Sequence, residues 1–224
     1  MSTPAGAGVL GVVLAGGRSS RYGSDKAFAD LGGISLVERA ARALGPVARC
    51  VTVVANDLEN HEAAAWPVRP DLVPGIGPLG GLHTAVAWAA EEDLRGVVVL
   101  ATDMPFVPSS LLVELAARLE RGAVVVPASG GPRGFEPLCA AYDVECLPAI
   151  EAAIERGERA VISFFPHVET RVLGLADVSR HGDPGTMFFN VNRPEDQLRA
   201  DQLLAALRSA DAGLTEAERE PEEE

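Results

Sequence analysis

Four short runs of β-branched and aliphatic residues constrain this chain more than any other feature. They are VLGVVLA (Val9–Ala15), VARCVTVVAN (Val47–Asn56), GVVVLATD (Gly96–Asp103) and AVVVPA (Ala123–Ala128). None shows the in-out alternation of a half-exposed strand, and each is too short for a buried helix. Runs of this kind read as strands covered on both faces. Between them lie helical patterns: SLVERAARAL, with Ser35 at the N-cap and Glu38 three residues on, then Leu79–Ala90, Ser109–Arg121 and Val144–Arg156. Pro148 inside the last suits only a first turn or a kink. A closing helix begins near Pro194. Strand and helix in alternation predict a Rossmann-like α/β fold, a mostly parallel sheet between helices on both faces in three layers. ASGGPRGFEPLCAAY reads as a loop and then a strand, a candidate for a lobe over the sheet edge.

A chain of 224 residues, 47% hydrophobic and 23% charged, fits one compact domain over residues 9–210. Residues 1–8 are expected to be a flexible start without a secretory pattern, and residues 211–224 an acidic disordered tail. No apolar run approaches the ~20 residues that span a bilayer. Cys50, Cys139 and Cys146 have no paired spacing and the four histidines form no ligand motif. Together these predict a cytoplasmic protein without structural zinc. Net charge is −13, and an acidic body is a poor partner for nucleic acid or anionic membrane.

Against that acidity, LAGGRSSRYGSDK (Leu14–Lys26) gathers three glycines, two arginines and a lysine directly after the first strand. In such sheets ligands sit beyond the carboxyl ends of the strands. Gly16-Gly17 lets the backbone approach phosphate oxygens, while Arg18, Arg21 and Lys26 supply charge. It is not a Walker A loop, because no glycine is followed by Lys-Ser/Thr. TDMPF (Thr102–Phe106) ends the third run with one aspartate, Asp103, placed to hold a divalent cation, with a turn former ahead of proline as the alternative. DLVPGIGPLGGLHTA contains a formal G-x-G-x-x-G, but Pro70 and Pro74 stand where the preceding strand would run, so a dinucleotide reading fails. That loop instead opens a helix whose free N–H groups, near Gly80, can face a phosphate or sugar. Arg133 and Glu136, in GGPRGFEP, are candidates for an acceptor substrate, with a plain surface loop as the alternative. His83 reads as a helix-surface residue.

LAGGRSSRYGSDKA, DLVPGIGPLGGLHTA, LATDMPF, FEPLCAAY and FFNVNRPED, in this order, resemble the molybdenum cofactor guanylyltransferases of the nucleotidyltransferase superfamily. The resemblance runs from about Val9 to Leu207. The opening motif is shared across the superfamily, with Tyr22 here where Met or Phe is usual. GPLGG and NVN-x-PED point more narrowly to this family. The resemblance implies GMP transfer from GTP to molybdopterin with magnesium as cofactor, and docking to other cofactor-assembly proteins. It implies that Leu14, Ala15, Gly16, Gly17 and Gly80 lie against GTP, that Lys26 and Arg21 contact its phosphates, and that Asp71 contacts the nucleotide. Asp103 would hold magnesium, with Asn192 as a second polar group. A family asparagine falls at Val54; Asn56, two residues on and on the same strand face, is a candidate replacement, with the backbone alone as the alternative. The alternatives are a relative using CTP or another phosphorylated acceptor, and a nucleotide-binding module without turnover.

Overall fold

The computed structural model describes residues 8–15, 27, 29–56 and 65–217, with side chains to residue 209. Seven strands form one sheet: β1 (Val9–Leu14), β2 (Cys50–Val54), β3 (Val68–Arg69), β4 (Gly96–Ala101), β5 (Ala123–Pro127), β6 (Cys139–Asp143) and β7 (Glu169–Leu173), in the order β3-β2-β1-β4-β6-β5-β7. β1 pairs in parallel with β2 and β4, β2 with β3, and β5 with β7. β6 alone runs against its neighbours, pairing antiparallel with β4 and β5.

The principal helices are α1 (Leu36–Leu44), α2 (Pro78–Glu91), α3 (Ser109–Ala117), α4 (Leu147–Glu155) and α5 (Pro194–Ala217). Successive side chains of a strand point to opposite faces, and β1 shows what that does here. Leu10, Val12 and Leu14 join α2 and α4 in one core, while Val9 and Val13 join α1 and α3 in the other. Between them Gly11 leaves room for α1: a Cβ there would stand 2.9 Å from Ala48 Cβ and 3.2 Å from Leu44 Cβ. The three layers follow from strands that are apolar on both sides.

Ser35 caps α1, its hydroxyl accepting from the Glu38 amide at 3.3 Å. The glutamate does not complete a reciprocal box but pairs with Arg42 one turn on, at 2.5 Å. Pro148 lies in the first turn of α4, where its missing N–H costs nothing. The strand expected in an edge lobe is a correction: β6 lies inside the sheet. β3 and β7 have no counterpart in the sequence reading, being two residues long and half exposed respectively. Helix α5 runs to Ala217, beyond Asp211 where the tail was expected to start.

A third, smaller core joins α5 to the chain around Leu31 through Leu36, Val191 and Ala200. Gln197 Nε2 and Arg208 donate to the carbonyls of Asp30 and Gly32, at 2.7 and 3.2 Å. Among the described residues no helix is long and apolar enough to cross a membrane.

Candidate active site

Because β1, β2, β3 and β4 are parallel, their carboxyl ends open along one edge of the sheet. The ladder continues just past them. Ala15 N donates to Val54 O at 3.0 Å, Ala55 N to Arg69 O at 3.0 Å, and Thr102 N to Leu14 O at 3.3 Å. Leu14, Ala15, Asn56, Asp71 and Asp103 therefore emerge along the same edge. Gly16, Gly17, Arg21 and Lys26 lie outside the described residues.

One half of this edge centres on Asp71. Asn56 Nδ2 donates to Asp71 Oδ2 at 2.8 Å, and the Asp71 amide donates to Asn56 Oδ1 at 3.0 Å. This reciprocal pair fixes both side chains, and it joins two residues that sequence reading named separately. The start of α2 closes in from above. Gly77, its N-cap, has φ 79° and ψ −148°, a backbone for which glycine is suited, and no side chain caps the helix. A Cβ on Gly80 would stand 3.0 Å from Val73 O and 3.5 Å from Asp71 Oδ2. On Gly81 it would stand 3.3 Å from Leu14 and 3.7 Å from Asp71 Oδ1. The two glycines of GPLGG thus let a helix N-terminus settle against Leu14 and Asp71. Thr84 locks the turn, its hydroxyl donating to Gly80 O at 3.0 Å and accepting from the Leu72 amide at 2.8 Å.

The other half is a cleft of about 560 Å³ beyond β4, lined by the half-buried Asp103 together with Ser129, Arg133, Glu136, Phe188 and Asn190. The antiparallel β6 makes it. Since β6 begins where β4 ends, Ala101 N donates to Leu138 O at 2.9 Å, and Glu136-Pro137-Leu138 arrive beside Asp103. The fourth wall is tied on by Val191 N, which donates to Asp103 O at 2.9 Å. Asn190 faces this cleft, its Nδ2 donating to Phe188 O at 2.9 Å. Asn192 is exposed, and its backbone N–H, with that of Arg193, is capped by Asp196 Oδ2 at 2.8 Å. Asn190, the first asparagine of NVN, lines the cleft, two residues before Asn192, the one named from the resemblance.

Other candidates separate from the crevice. His83 is buried rather than on the helix surface, with Nε2 3.7 Å from Glu151 on α4. Cys139 and Cys146 are buried, and desolvation pushes the Cys146 thiol up to about 12 and raises Cys139 likewise, so neither is a nucleophile.

A parallel edge offering glycine-lined backbone and carboxylates suits a nucleotide, and comparison with known proteins names the kind. The family model described as the MobA-like NTP transferase domain matches residues 11–171. The chain belongs to that family. It is a nucleotidyltransferase. A molybdenum cofactor guanylyltransferase from Rhizobium johnstonii is 37% identical over 209 residues, covering 90% of this chain and 95% of that relative. A probable molybdenum cofactor guanylyltransferase from Pelotomaculum thermopropionicum is 35% identical over 190 residues, 85% of this chain and 90% of the relative. Among solved structures, the molybdopterin-guanine dinucleotide biosynthesis protein A of Archaeoglobus fulgidus superposes with a TM-score of 0.72 at 25% identity, covering 88% of this chain and 100% of that one. The 2-C-methyl-D-erythritol 4-phosphate cytidylyltransferase of Thermus thermophilus, at 19% identity and TM-score 0.62, shares the fold over 87% of this nucleotidyltransferase and 98% of its own chain.

Proposed function

We propose that this nucleotidyltransferase moves GMP from GTP to the terminal phosphate of molybdopterin and releases pyrophosphate. The observation that carries the reading is the position of Asp103. It sits at the end of β4, between the Asp71 half of the crevice and the cleft, and each side is bonded to its own backbone or to the residue before it. Two substrates bound one on each side would meet at this carboxylate. The relatives' names, molybdenum cofactor guanylyltransferase, support GTP and molybdopterin as the two.

The chemistry asks little of the protein as acid or base. An oxygen of the pterin phosphate forms a bond to the α-phosphorus of GTP as the bond from that phosphorus to the β-phosphate oxygen breaks in line. The attacking monoester is already anionic at neutral pH, so no general base has to remove a proton. What remains is to align two polyanions and offset their repulsion. Leu14, Ala15 and the amino end of α2 at Gly80 hold the nucleotide, with Asp71 and Asn56 orienting it. Gly16, Gly17, Arg21 and Lys26 would draw charge from the triphosphate and the leaving pyrophosphate.

Among the described residues no three His, Cys, Asp or Glu side chains gather as a metal cluster. That suits magnesium shared with substrate, which needs one or two carboxylates and completes its shell with phosphates and water. Asp103, a half-buried hard oxygen donor lining the cleft, fits as the anchor. When bound, the ion would lend positive charge to the phosphates on both sides.

The test is pyrophosphate release by the full chain with magnesium, GTP or CTP, and molybdopterin. Release with GTP and molybdopterin together, and not with either alone, is expected. Release with CTP instead would move the protein to the cytidylyl-transferring relatives. Binding of GTP with no release under any pairing would make it a module without turnover.

A further inference from the structure

We propose that Glu136 reads the N–H edge of the acceptor's pterin ring. This rests on the reading of molybdopterin as acceptor and goes one residue further. The starting point is a conflict of charge. A cleft that received only phosphate would be lined by donors and cations, yet among the described residues this one carries two carboxylates, Asp103 and Glu136, beside Arg133. The metal role accounts for Asp103. Glu136 would repel a phosphate and needs a ligand part that donates hydrogen bonds.

Its setting is rigid on every side. The Glu136 amide donates to Pro127 O at 3.0 Å, and its carbonyl accepts from Cys139 N at 3.2 Å. The next carbonyl, Pro137 O, accepts the buried Tyr142 hydroxyl at 2.5 Å. The carboxylate is oriented by Ser129, whose hydroxyl donates to Oε1 at 2.8 Å. Among the described residues it has no ion pair. A half-buried carboxylate fixed on a strand entrance and holding one neutral donor keeps most of its acceptor capacity for a ligand.

The matching chemistry is a pair of parallel N–H donors, which a carboxylate receives as it receives an arginine fork. A 2-amino-4-oxopyrimidine edge offers that pair at its ring N–H and amino group. Pterin and guanine both carry it. Glu136 is on the cleft side of Asp103 and Asp71 on the other, so the two carboxylates divide the two rings: Asp71 faces the guanine side and Glu136 the pterin.

Glu136→Gln tests this in the full chain, because the amide oxygen still accepts from Ser129 while one ligand-facing acceptor becomes a donor. Dissociation constants for molybdopterin and for GTP are measured separately by titration of intrinsic fluorescence. The molybdopterin value should rise at least about tenfold, the scale of a hydrogen bond to a charged group, with GTP changed less than about twofold. Unaltered molybdopterin affinity would reduce Glu136 to a loop clasp, and a loss confined to GTP would mean that the ring read is guanine. A wild-type chain that binds no molybdopterin would overturn the acceptor reading itself, and this proposal with it. Should the Gln variant not fold, the wild-type chain is titrated with 6-hydroxymethylpterin phosphate and its N3-methyl analogue. Weaker binding of the methylated ring by at least about tenfold supports the assignment, and equal binding removes it.

Discussion

Around Asp71 the crevice is built from residues that follow parallel strands, whereas around Glu136 it is built from residues that precede an antiparallel one. The first half is a continuation of the sheet: Ala15, Ala55 and Thr102 extend the ladders of β1, β2 and β4 before the chain turns away. The second half is assembled from distant pieces, the β5–β6 connection and the segment ending at Val191, held to β4 by single backbone bonds. One half depends on close approach of glycine to side chain, the other on a few hydrogen bonds that hold a turn in place. Substitutions should therefore separate them, one raising the requirement for nucleotide and the other that for acceptor.

The largest effect should come where the halves meet. Asp103→Ala is expected to lower turnover by more than about a hundredfold at every magnesium concentration, with both substrates still bound. Unchanged turnover would show that the carboxylate is not the anchor.

Gly81→Val should act on one half only. Its branched side chain starts 3.3 Å from Leu14 and 3.7 Å from Asp71, so the helix start must shift. We expect KM for GTP to rise about tenfold with KM for the acceptor unaltered; a rise in both would mean that the halves are one unit. Tyr142→Phe is the counterpart. Burial raises the Tyr142 pKa well above its usual value, so the hydroxyl stays protonated and donates to Pro137. Its loss leaves a buried carbonyl unpaired, about 1–3 kcal/mol by thermal or denaturant unfolding, and should raise acceptor KM a few-fold without touching GTP. Equal effects on the two substrates would erase the distinction.

The smallest effect concerns the outer support of the cleft wall. His181, just ahead of the segment that lines it, sets Nε2 2.5 Å from Glu114 Oε2 and Nδ1 3.0 Å from Ser110 Oγ on α3. The hydrogen bond from His181, aided by Arg118 and opposed by partial burial, holds the Glu114 carboxyl below its ordinary range. A depressed carboxylate stabilises the fold above its unfolded value and ceases to do so as pH falls through its folded value. Wild type should therefore exceed Glu114→Gln in melting temperature by a small margin at neutral pH, and the margin should close from about pH 4.3 downward. A margin constant with pH would assign the contact to packing alone.

Legibility in the sequence follows the same division. Asp103 could be named because it ends an apolar run, whereas Leu14 and Asp71 were named only through the family resemblance of the motifs around them. Asn56 was named from the resemblance together with strand periodicity, and its bond to Asp71 became visible only in the fold. Glu136 was named as an acceptor candidate with a plain surface loop as the alternative, and its place beside Asp103 depends on the direction of β6. Asn190 and Asn192 are two apart in one motif, and only the path of the backbone past Asp103 decides which lines the cleft.

What the residues determined unaided is the layered α/β plan, because an apolar run buried on both faces needs helices on both sides of its sheet. They also determined the line of candidate residues at the carboxyl ends of its parallel strands. Tertiary structure alone decided that β6 enters the sheet in reverse between β4 and β5, and so that an amino-terminal strand entrance joins those ends. Strand order and direction are set by which long-range pairings satisfy the backbone while filling both cores, and no local pattern in Cys139–Asp143 encodes that choice.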